Sequence, residues 1–91
     1  MEEKFLAELE VRREAAAKAG VRIRPVPEMK PAHWLLTGSR TSDGFDDLAK
    51  LGLLRLSLEA LAVDKRFTGL FTDEEANTAL ERLLFAGYTF K

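Results

Sequence analysis

The stretch from Phe45 to Val63 constrains this chain more than any other. Wound as one helix, it sets Leu51, Leu54, Leu58 and Leu61 in one apolar row and Leu53, Leu56, Ala60 and Val63 in another, on nearly the opposite side. Asp46, Lys50, Ser57 and the following Asp64 make its only clean polar stripe. A helix that is apolar almost all round must be covered on two sides. Alternatively, a short helix ends at Gly52 and Leu54 to Glu59 alternates as a strand. Leu and Ala favour helix over strand, so the single helix is preferred.

The flanking segments supply what such a helix would pack on. Residues 2 to 19 predict a helix: Phe5, Leu6 and Leu9 lead into an Ala-rich run, Glu8/Arg12 and Glu14/Lys18 are spaced as ion pairs, and Gly20 is the stop. Its apolar face is narrow, which puts it on the outside with a solvated charged face. Val21 to Arg24 alternates as a strand that Pro25 and Pro27 confine to an edge, and His33 to Thr37 is a second short strand. Thr37 to Gly44 is rich in turn formers, and Arg66 to Phe71 reads as a further strand. Thr72-Asp73-Glu74-Glu75 is a capping box, followed by apolar residues at helical spacing through Leu84 and a stop at Gly87. Tyr88 to Phe90 is a possible final strand.

Together these elements predict a two-layer α+β fold within a single domain spanning 1–91. An N-terminal helix, a short edge hairpin, the Leu-rich helix, a strand and a C-terminal helix would share one small sheet.

Composition excludes several classes of function. With 14 Lys and Arg against 15 Asp and Glu, the net charge of −1 argues against whole-molecule attraction to nucleic acid or an anionic membrane. The chain has no Cys, which removes disulfides, thiol catalysis and Cys-based zinc sites. No apolar run approaches a membrane span, and Met1 to Lys4 lacks the apolar core of a secretory signal, so a cytoplasmic location is expected. The absence of Gln, the single Asn77 and the high charge content lean towards a thermophilic source.

Charge is unevenly spread. Lys18, Arg22, Arg24, Lys30 and Arg40 face only Glu28 between residues 18 and 40, and Trp34 lies among them. A basic segment with an aromatic is how a weak single-strand binder looks, but so is one half of a molecule facing an acidic partner. Thr37, Gly38, Ser39 and Arg40 form a loop able to meet a phosphate if a helix follows. The string Trp34-Leu35-Leu36-Thr37-Gly38-Ser39-Arg40 resembles the strand and loop that open SLOG-type nucleotide-binding families. That resemblance spans seven residues and implies a strand running into a phosphate loop. The later Gly-rich loop and acidic residue of those families are missing.

Asp43, Asp46 and Asp47 lack the alternation of a calcium loop and suit a first helical turn. His33 has no second His to share a metal and no nucleophile beside it, so it reads as structural, and neither metal nor cofactor is implied. Phe85 is the anomaly. It lies on the polar side of the last helix with Glu74, Thr78 and Glu81, and either folds over the helix end onto Tyr88 or Phe90 or meets a partner. A chain this short has little material to cover both Leu rows. The sequence therefore predicts a non-catalytic protein-interaction module, a homodimer or partner of another protein, with Leu53, Leu56, Val63 and Phe85 at its interface. Phosphate or nucleotide binding through Thr37 to Arg40 ranks second, weak nucleic-acid binding third, and catalysis is not indicated.

Overall fold

The computed structural model describes residues 2–37 and 41–88, whose regular elements are all helical, with no strand among them. Five α-helices, α1 (Glu2–Lys18), α2 (Met29–Leu35), α3 (Phe45–Leu51), α4 (Leu58–Ala62) and α5 (Asp73–Phe85), are joined by 3-10 turns at Leu54–Leu56 and Lys65–Leu70. The α+β sheet expected from the sequence is therefore corrected to an all-helical fold.

The Leu-rich stretch resolves its two opposed rows by breaking twice. At Gly52 (φ 71°) the chain turns left-handed, Leu53 N–H bonds the Leu48 carbonyl at 2.8 Å and Gly52 N–H that of Ala49 at 3.2 Å. This Schellman closure favours a residue without a side chain. Gly20 and Gly87 close α1 and α5 with the same pair of bonds. The second break is at Ser57, whose extended backbone and hydroxyl cap α4 by accepting the Ala60 N–H at 3.1 Å. Neither the single helix nor the strand from Leu54 to Glu59 forms. The three short pieces instead turn most of both rows inward: Leu54, Leu58, Ala60 and Leu61 are buried, Leu53, Leu56 and Val63 half-buried, and Leu51, at the end of α3, stays exposed.

Each expected strand fails for a local reason. Val21 to Arg24 does alternate between inward and outward side chains, but no strand among the described residues pairs with it and the segment runs on to Pro27 as an extension. His33 and Trp34 belong to α2, where Met29, Ala32 and Leu36 recur at helical spacing on the buried side and Pro31 sits in the first turn, which needs no donor there. Phe67 and Phe71 are four apart, a spacing that serves a strand and a helical turn alike. Asp64 accepts the Arg66 N–H at 2.9 Å and starts the turn, and both rings meet Phe5 edge-on, at 5.3 and 5.1 Å. Of the proposed last strand, Thr89 and Phe90 lie outside the described residues.

Two apolar clusters share α4 as their common wall. Phe5, Leu9, Met29, Leu36, Leu58, Leu61, Phe67 and Phe71 build one. Ala16, Val21, Phe45, Leu48, Leu54, Ala60 and Leu83 build the other. All five residues of α4 are buried, and α4 packs most closely on α5, which puts α5 on the outside of the molecule with one face against the core.

Candidate functional site

The capping box at Thr72 sets the start and rotation of α5. Thr72 Oγ1 accepts the Glu75 N–H at 3.1 Å and Glu75 Oε1 accepts the Thr72 N–H at 2.8 Å. Ala79 and Leu83 then turn inward with Glu75, Arg82 follows them, and Asn77, Leu80, Glu81, Leu84 and Phe85 face out. Leu80, Leu84 and Phe85 are the exposed large apolar groups of this helix. At the C-terminal end Tyr88 N–H bonds the Leu83 carbonyl at 2.9 Å, drawing Tyr88 back onto the second cluster. Phe85 gains nothing from that return. It is 96% exposed and borders a shallow depression shared with Phe45, Asp46 and Glu81.

Two polar nodes lie beneath this helix. Fully buried Glu59 accepts from Ser42 N–H at 3.0 Å, from the Ser42 hydroxyl at 2.5 Å and from Arg82 at 3.1 Å, and Arg82 also donates to the Leu35 carbonyl at 2.9 Å. One carboxylate thus ties α4, α5, the end of α2 and the entry to α3. A buried charge is tolerated only when paired and hydrogen-bonded, and this one is both. In the second node, His33 Nδ1 stands 2.8 Å from Glu75 Oε2 and its ring packs on Phe71 at 5.1 Å. Burial pushes the Glu75 carboxyl up, but the Thr72 backbone N–H and His33 outweigh it and hold it below its ordinary value. His33 stands on a helix and not at the start of a strand. No group of three His, Asp or Glu side chains suited to a metal ion occurs among the described residues.

A cleft of about 210 Å³ opens between α1, the extended segment after it and α2. Leu9, Leu35, Leu56 and Leu58 line it, Ile23 and Val26 form one wall, and Trp34 stands at it with 73% of its surface exposed. The charged residues on its lining are paired: Arg13 with Glu10, and Arg24 with Asp43 at 3.6 Å.

The residues singled out by sequence fall in different places. Thr37 follows α2 and donates its hydroxyl to the Trp34 carbonyl at 2.8 Å, while Gly38, Ser39 and Arg40 lie outside the described residues. The strand that the nucleotide-binding resemblance implies is absent, because Trp34 and Leu35 are helical. Leu53, Leu56 and Val63 pack partly against the core, whereas Phe85 stands free of it. Asp46 and Asp47 occupy the first turn of α3.

No protein-family model, no curated protein and no solved structure matches this chain. No helix among the described residues is long and apolar enough to cross a membrane. Sequence reasoning missed the Glu59 node and the cleft. A carboxylate set among Leu58, Ala60, Leu61 and Ala62, in a stretch that has to be buried, was the available signal for the first.

Proposed function

We propose that this chain is a non-catalytic protein-interaction module that self-associates through the outward face of α5. The observation that carries this reading is Phe85, 96% exposed beside an exposed Leu84, with Leu80 one turn earlier. Taking about 100° per residue, these three fall within one outward sector of the helix. Burying a Phe side chain contributes about 1.5–3 kcal/mol, and a two-fold contact uses the same patch twice. Leu53, Leu56 and Val63 are half-covered by the core and contribute less than their place in the sequence implies.

Sedimentation velocity over a range of concentrations tests the proposal. The sedimentation coefficient of the wild type should rise with concentration towards a dimer, and Phe85→Asp should stay monomeric with an unchanged helical spectrum. A wild type that remains monomeric at high micromolar concentration contradicts it.

A further inference from the structure

The cleft beside Trp34 shares no residue with the α5 face. We propose that it binds an extended acidic peptide segment of another protein, which pairs with the backbone of Arg22 to Val26 and inserts one apolar side chain next to Trp34.

The wall of the cleft is built to receive such a guest. From Val21 to Pro27 the chain runs without a turn or bend, and Arg24 and Val26 each precede a proline, which holds them extended. Among the described residues, no backbone N–H or carbonyl from Arg22 to Pro27 takes part in a hydrogen bond. In an extended chain, alternate residues present their N–H and carbonyl groups to the same edge. Pro25 and Pro27 remove donors from the edge shared with Ile23, while Arg22, Arg24 and Val26 keep theirs. The N–H groups of Arg22, Arg24 and Val26 thus have no bonded partner among the described residues. Strand addition to such an edge takes affinity from the backbone and specificity from the adjoining pocket.

The surroundings select the guest. Leu9, Leu35, Leu56 and Leu58 accept an apolar side chain, and exposed Trp34 supplies the kind of aromatic anchor that dominates binding energy at interfaces. Lys18, Arg22, Arg24 and Lys30 are exposed within and beside the segment in sequence, where Glu28 is the only acid between residues 18 and 37, and the acids on the cleft lining, Glu10 and Asp43, are paired with Arg13 and Arg24. Arg24 is 92% exposed and its contact with Asp43 is long, so a guest carboxylate can compete for it. These features favour an acidic peptide over single-stranded nucleic acid, which needs successive stacking platforms where this cleft has one aromatic side chain.

Trp34 is the only tryptophan and reports directly on the cleft. The probe is a capped pentapeptide, a leucine with two glutamates on either side, titrated into the full chain while Trp34 emission is followed. A saturable blue shift is expected. Replacing the glutamates by lysines should abolish it, methylating the peptide's backbone nitrogens should weaken it about fivefold, and Arg24→Glu in the protein should weaken it about tenfold. Thermal unfolding of Arg24→Glu checks that its fold is intact. No shift up to millimolar peptide, an equal response to the lysine peptide, a response to oligothymidylate alone, or a shift that follows protein concentration without peptide each overturns the proposal.

Discussion

Replacing Glu59 by Ala should be the most damaging single change at a polar residue of this protein. The carboxylate has no exposed surface and accepts from Ser42 twice and from Arg82 once. Without it the Arg82 guanidinium, itself largely buried, keeps the Leu35 carbonyl but loses its ion pair with Glu59, and both Ser42 donors lose their acceptor. Removing one partner of a buried ion pair costs about 3–5 kcal/mol. Total stability for a domain is about 5–15 kcal/mol, so the variant should be close to unfolding. For a domain of this size each kcal/mol lowers Tm by about 4–8 °C, which makes the loss easy to read. Glu59→Gln keeps one acceptor oxygen, for Ser42 N–H and Arg82, and turns the other into an NH2 that must donate to the Ser42 hydroxyl; with the charge also gone, the cost is about 1.5–3 kcal/mol. The double variant Glu59→Leu/Arg82→Met should recover much of the loss, because apolar replacement of a whole buried pair is often neutral. Urea unfolding followed by circular dichroism measures all of these, with the double-variant cycle isolating the coupling. A Glu59→Ala cost below about 1 kcal/mol, the range of an exposed pair, would refute the reasoning, as would a cycle that simply adds.

Thr72→Ala should cost about 0.5–2 kcal/mol and Thr72→Asp far less, since only the second keeps an acceptor for the Glu75 N–H; a denaturant series reads both. Gly44→Ala should lose more than the roughly 1–2 kcal/mol expected for a left-handed backbone, because its new Cβ would stand 2.8 Å from Val21 Cγ1; Gly52→Ala meets nothing within 4 Å and isolates the backbone cost in the same unfolding assay. Glu75 is held below its ordinary value, so its contribution is fully present above the unfolded carboxylate pKa of about 4.3 and is lost as pH falls through the lower folded value. The stability difference between wild type and Glu75→Gln should therefore shrink on acidification below that point, as measured by Tm against pH.

The legible parts of this fold are those with local signals. Gly20 stops α1, the Thr72 box starts α5 and Gly87 ends it, each within a few residues of what it controls. The middle of the chain was harder because its patterns serve two structures. Val21 to Arg24 alternates as a strand does, but a sheet also needs a neighbour, and the neighbour read from His33 to Thr37 is helix through Leu35 and then a turn. Phe67 and Phe71 keep the same side in either geometry. In the Leu-rich stretch the break at Gly52 was visible as one alternative, while the one at Ser57 depended on a single hydroxyl. Glu59 and Arg82 are 23 residues apart, and a pairing at that separation becomes visible only once α4 and α5 are packed together. Phe85 stood out in sequence for the reason it stands out in the structure, an apolar ring on the side of the helix that faces away from the core.

Self-association through α5 is tested most directly by backbone amide NMR spectra recorded over a dilution series. Signals from Leu80 to Ala86 should move with concentration, while those of buried α4, Leu58–Ala62, stay fixed. A spectrum unchanged from high micromolar to millimolar protein, or shifts confined to residues away from α5, would contradict the account.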